Sequence, residues 1–306
     1  MKTLLLGAVF VVVCLPLHAQ TIDDGIMMAK HSLQAGDVYT HDSWDHYWEG
    51  ALKRDNGNIG TVTTETHTLT AMYGLSDRLT LIGSVPYVQT QPSMGVLQGQ
   101  SGLQDITIGG KYSFLERSSP TRGLRAIAAV YGGFPLTDYT PDFAPLSIGT
   151  QSQRISGRLT LNYQTQAGIY VNGTTAYTLR GDVTLDRPYY YTDGQLSLTD
   201  QVMMPNTAEY AVSFGYLKHD LNTNVSFLQQ ATQGGGDIRR QDAPFVSNEV
   251  NFSKVGAMAM YPIPKIRMIS VYGSWGRIVD GRNVGQSTTF SLGLLYSYAA
   301  QGRLTR

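Results

Sequence analysis

Apolar and polar residues alternate with a period of two along most of this chain, the spacing expected of β-strands with two different faces. Between Ile155 and Gln164 one face reads Ile155, Gly157, Leu159, Leu161, Tyr163 and the other Ser156, Arg158, Thr160, Asn162, Gln164. Ala208, Tyr210, Val212, Phe214 and Tyr216 oppose Glu209, Ala211, Ser213 and Gly215 in the same way, and Phe290, Leu292, Leu294, Tyr296 and Tyr298 oppose Ser291, Gly293, Leu295 and Ser297. The segments run to roughly 10–15 residues, whereas sandwich strands average about 5–6 and a tilted membrane strand needs about 9–11. Aromatic residues gather at the segment ends, at Tyr73, Tyr87, Tyr112, Phe114, Phe134, Tyr163, Tyr216, Tyr261 and Tyr298, where membrane–water interfaces hold them.

The connections alternate between short and long. Short turns are predicted near residues 74–78, 116–122, 166–167, 218–220 and 262–265, and longer polar loops near 51–58, 91–102, 135–152, 182–206, 234–245 and 279–285. With a first strand from Gly36 to Gly50 the count is twelve. A soluble sandwich has no reason for this rhythm. The pattern predicts an all-β fold, a transmembrane antiparallel up-and-down β-barrel of about twelve strands over residues 36–299, with periplasmic termini and a tail at 300–306. Closure follows from the solvent: lipid supplies no hydrogen bonds, so the last strand must pair with the first. The pattern is weakest in the first two strands, within residues 36–72, and near Val246–Tyr261, where Lys254 interrupts the apolar face.

The N-terminus changes the picture once. Lys2, the apolar run Leu4–Leu17 and the small residue Ala19 read as a secretory signal over residues 1–19. That run is too short for a membrane helix, which needs roughly 20 apolar residues. Residues 20–35 then form a short segment ahead of the first strand, placed to enter the lumen as a plug. The single cysteine, Cys14, lies in the leader, so the exported chain has neither a disulfide nor a thiol nucleophile. The chain carries 23 basic and 23 acidic residues, and a balanced charge gives no footprint for nucleic acid.

By parity the lumen face holds Asp105, Lys111, Arg125, Arg154, Arg158, Arg180 and Glu209. They either select a permeant or pair with one another and fill the barrel. Tyr189, Tyr190 and Tyr191 in the longest loop are candidates for an aromatic platform or for ordinary packing on the rim. Met27, Met28 and His31, with Met203 and Met204, are soft-metal ligand types but lack a tight repeat, so no metal or other cofactor is expected. Ser43 and His46 are the nearest approach to a nucleophile pair. Their odd spacing puts them on opposite faces of a strand, and no nucleophile or phosphate-binding motif is present, so no catalysis is expected.

Two resemblances add to this. Ser291–Tyr298 resembles the terminal signal by which outer-membrane barrels are recognised by the insertion machinery, with Gly293, Tyr296 and Tyr298 at its defining positions and eight further residues after it. Tyr73-Gly74-Leu75-Ser76-Asp77-Arg78-Leu79 with Val85-Pro86-Tyr87, and Gly102-Leu103-Gln104-Asp105 continuing to Gly109-Gly110-Lys111-Tyr112, resemble the family of outer-membrane barrels named after the MetA pathway of phenol degradation. That resemblance implies passage of small, aromatic or hydrophobic compounds. The expected function is passive uptake or passage of a small molecule, with outer-membrane lipid, the insertion machinery and the permeant as partners. Alternatives are a surface-binding or structural barrel and a lipid-active enzyme.

Overall fold

The computed structural model describes residues 24–192, 194–239 and 244–299. The expected signal and the tail at 300–306 lie outside them. Twelve long strands form the wall: β1 Ser32–Trp44, β2 Val62–Ser76, β3 Leu79–Pro92, β4 Asp105–Ser119, β5 Arg122–Pro135, β6 Arg154–Thr165, β7 Ile169–Arg180, β8 Thr207–Lys218, β9 Leu221–Thr232, β10 Asn251–Ile263, β11 Ile266–Arg282 and β12 Thr288–Ala299. Each pairs antiparallel with its chain neighbours, and β1 pairs with both β2 and β12, from Ser32↔Ala299 to Ser43↔Thr288. The sheet is therefore closed, and no edge is left for lipid to satisfy.

Strands of 12–17 residues rise about 3.3 Å per residue. At a tilt of about 40° they cover an apolar band about 25 Å tall. The outward face is apolar as the alternation predicts: Leu159, Leu161, Val212, Phe214, Leu292 and Leu294 are exposed. Their inward neighbours Ser156, Thr160, Asn162 and Ser297 are buried.

Two boundaries differ from expectation. The first strand starts at Ser32 rather than Gly36 and stops at Trp44, and the residues expected to prolong it form a separate hairpin, His46–Glu49 with Leu52–Asp55. Alternation extends through both stretches, so it cannot mark where one ladder ends and another begins. Near the other end β11 runs on to Arg282, with a bulge at Val279, because Ser253 pairs Asp280 while Lys254 pairs Ile278. Lys254 lies on the inward face of β10, reaching Thr289 Oγ1 at 3.0 Å, and the outward face is Val255, Ala257, Ala259 and Tyr261. The apparent break in the pattern is a strand whose outward face is mostly small, Val255, Ala257 and Ala259, while Met258 and Met260 point inward.

Candidate functional site: the barrel lumen

The inner wall of β2 to β6 carries the N-terminal segment. Residues 24–31 enter no ladder, and their backbone is held by wall groups instead. Met28 N–H donates to Thr80 Oγ1 (3.1 Å), Lys30 N–H to Asp77 Oδ1 (3.0 Å) and His31 N–H to the Gly74 carbonyl (2.7 Å). Arg125 donates to the Gly25 carbonyl (3.3 Å). Met28 packs on Met72 and Ile82. Two glycines permit the contact. A Cβ on Gly74 would stand 2.0 Å from the Ala29 carbonyl oxygen, and one on Gly25 would stand 2.5 Å from Asn162 Cβ. The innermost anchor is an ion pair: Lys111 Nζ donates to Asp24 Oδ1 (2.9 Å) and to the Asp24 carbonyl (3.1 Å). Their side chains are 1% and 7% exposed.

A second group binds the loop at 136–153 to the wall near the long-loop mouth. Asp105, 2% exposed, accepts hydrogen bonds from Arg154 and from Tyr139 Oη (2.6 Å). Tyr139 Oη also accepts from the Gln151 amide at 2.8 Å. Burial first, and the neighbouring Asp105 carboxylate second, push the Tyr139 hydroxyl well above its ordinary range. Leu146 and Ile148 of the same loop are buried, Leu146 against Ile59 and Val62 and Ile148 against Val88. Thr90 Oγ1 donates to the Leu146 carbonyl at 2.6 Å. Because Val62, Val88, Thr90 and Asp105 point inward, the loop closes over the mouth.

The remaining expected lumen charges are also inside. Arg158 meets Glu209 (3.0 Å) and the Tyr131 hydroxyl (3.1 Å). Arg125 meets Glu116 (2.6 Å), and Arg180 reaches the Pro205 carbonyl (3.4 Å). Each of the seven residues predicted by parity has a hydrogen-bonding partner: Arg125, Arg154, Arg158, Asp105 and Glu209 within the wall, Lys111 in the N-terminal segment and Arg180 in a loop. A cavity of about 350 Å³ lies on the other side of the lumen. It is bordered by Asp24 and Arg158 and lined by hydroxyl and amide groups such as Asn172, Ser213, Asn224 and Ser274, with Lys254 and Tyr272. A chain of hydrogen bonds, Lys254 to Thr289 and Thr289 to Asp42 (2.7 Å), marks its border.

Sequence reasoning missed Asp24, Asp42, Tyr139 and Thr289. Only Thr289 had a usable signal, its inward parity in β12.

The other candidates are not brought together. Tyr190 stacks on Phe245 (5.0 Å between ring centroids) in a small core with Val183, Leu185, Val202 and Met204, while Tyr189 and Tyr191 are exposed. Tyr190 faces that core, whereas Tyr189 and Tyr191 lie on the opposite, exposed side, so the three do not form one platform. Met28 sits in the lumen and Met204 in that loop core, so the soft-ligand residues are far apart. His31 Nδ1 meets the Tyr73 hydroxyl at 3.1 Å. His46 is held between Asp45 (2.7 Å) and Asp55 (3.0 Å), one on each ring nitrogen, and its hydrogen bond holds the Asp45 carboxyl below its usual range. Gly293 faces inward against Val38, and Tyr296 and Tyr298 face outward at the short-turn end.

Closure, an apolar outer belt and a polar inner wall define a twelve-stranded β-barrel of the bacterial outer membrane. The chain belongs to the family described as "Putative MetA-pathway of phenol degradation", whose model it matches over residues 56–294. Among solved structures it is similar to the COG4313 outer membrane channel of Pseudomonas putida F1, with 15% identity, a TM-score of 0.72, and coverage of 91% of this chain and 100% of that one. The NanC porin (9% identity, TM-score 0.45, covering 85% and 98%) and the β domain of the Bordetella autotransporter BrkA (11%, 0.43, 86% and 99%) are more distant barrels. No curated protein matches the chain.

Proposed function

We propose that the protein passes a small molecule across the outer membrane through its lumen, with the N-terminal segment as a plug that restricts the path. The observation that carries this reading is the cavity of about 350 Å³ lying beside the segment, bordered by Asp24 itself. Its hydroxyls and amides, beside apolar Leu228 and Met258, favour a solute that both hydrogen-bonds and packs against apolar surface and is small enough for that space. The family description supports a solute of the kind met in phenol degradation. The wall encodes no energy source, so passage is passive and selection falls to the inward side chains.

The test is single-channel conductance of the exported chain with and without residues 21–31. The deletion ends at 31 because Ser32 and the residues after it are rungs of the β1–β12 seam. Conductance that rises several-fold on deletion is the expected result. Silence from both correctly inserted forms would sink the reading and point to the outer loops as a binding surface.

We also propose that the insertion machinery reads the outward edge of β12. Replacing Tyr296 and Tyr298 together by Ala is expected to cut the folded protein recovered in outer membranes several-fold, measured by heat-modifiable gel mobility, while leaving refolding in detergent intact. Equal recovery of both proteins in membranes would exclude this role.

A further inference from the structure

One part of the membrane-facing surface is not apolar. On β1 the outward positions include Asp37, Tyr39 and His41, and on β2 they include Glu65 and His67, paired as Tyr39↔His67 and His41↔Glu65. Exposed Leu69, Phe290, Leu292 and Leu294 flank them. The side chains form a connected group. His67 Nδ1 lies 3.0 Å from Asp37 Oδ2, Tyr39 Oη donates to Glu65 Oε1 (3.1 Å), and His41 Nδ1 lies 3.8 Å from Glu65. The Tyr39 and His67 rings stand 5.2 Å apart. The two carboxylates and two imidazoles remain 40–57% exposed. On the opposite wall the corresponding face carries Leu159, Leu161, Val171, Val212 and Phe214. The group lies about level with Tyr87, which pairs His67, at the long-loop end of the apolar band. Hydrocarbon there offers these carboxylates and imidazoles no partner beyond one another.

We propose that this face is covered by a second copy of the chain, the two barrels meeting along β1 and β2. Insertion gives every copy the same orientation, so a pair of barrels must be related by a two-fold axis along the membrane normal. Each cross-strand pair then meets the same pair of the other copy in reversed order, crossing it at an angle set by the strand tilt. In the row where His41 pairs Glu65, reversal sets Glu65 of one copy against His41 of the other, on both sides of the axis. One row nearer the short-turn end, Tyr39 and His67 meet in the same way. The patch is therefore complementary to itself. A lipopolysaccharide phosphate fits less well, because Asp37 and Glu65 place two carboxylates among the imidazoles and would repel an anion.

The experiment uses the full chain in isolated outer membranes, in a Cys14→Ser background that removes its single cysteine. Leu69→Cys places a thiol on β2 beside the patch, and Val212→Cys places one on the opposite wall. A short bis-maleimide is expected to convert Leu69→Cys into a band of doubled mass and to leave Val212→Cys as a single barrel. Replacing Asp37 and Glu65 together by Leu makes the outer face more compatible with lipid, so the barrel still folds. It is expected to lower the cross-linked yield about fivefold by removing the interfacial hydrogen bonds. Cross-linking of Leu69→Cys no greater than that of Val212→Cys overturns the proposal. So does a yield that the double replacement leaves unchanged. Loss of co-purifying lipopolysaccharide on that replacement, without cross-linking in the parent, would assign the patch to lipid instead.

Discussion

Lys111→Met is expected to open the channel. The ammonium is held in the lumen by the Asp24 carboxylate and carbonyl, and removing one member of a buried pair costs about 3 kcal/mol or more. The segment relieves that cost by leaving the wall, where its charge regains water. Since about 1.4 kcal/mol is a tenfold change in an equilibrium, the closed-to-open ratio falls about 100-fold. Conductance should approach that of the protein lacking residues 21–31, and a protease should gain access to the N-terminus. The two changes act through one element, so they are not additive: Lys111→Met should add nothing to the deletion. A variant whose conductance equals the parent's would show that the ion pair does not hold the segment.

Asp105→Ala is expected to release the loop at 136–153 and to destabilise the mouth. Arg154 loses its carboxylate partner and the Tyr139 hydroxyl loses its acceptor. With Asp105 almost fully buried, the loss is about 3 kcal/mol, read as a lower urea midpoint and faster proteolysis within the loop. Tyr139 adds a dependence on pH. Its hydroxyl is pushed up in the folded protein, so the folded state holds the phenolic proton more tightly than the unfolded chain does. That contribution is complete below the ordinary tyrosine value of about 10 and is lost as pH rises above it. The parent should therefore lose stability in strong alkali more steeply than Tyr139→Phe. Parallel curves for the two would remove Tyr139 from the account.

These two side chains give a structural meaning to the residues that carried the family resemblance. Gly74 and Asp77 of the first stretch receive the backbone of residues 30–31, and Lys111 of the second binds Asp24. Asp105 binds the loop at 136–153. Four motif positions thus hold the two elements that narrow the lumen.

The sequence alone was sufficient for the wall. A period of two assigns each residue to a face, lipid requires the apolar set to be outside, and hydrogen bonding requires the sheet to close, so strand number and turn order were legible. Period-two reasoning gives a face but neither a partner nor an end. It could not place the boundary at Trp44 or recognise the inward Lys254 as ordinary. Nor could it pair Lys111 with Asp24, 87 residues away, or Asp105 with Tyr139. Those contacts come from an N-terminal segment and a loop with no periodicity, whose backbone polar groups are met in part by particular side chains of a wall already closed. How much of the lumen stays open is decided there, by tertiary structure.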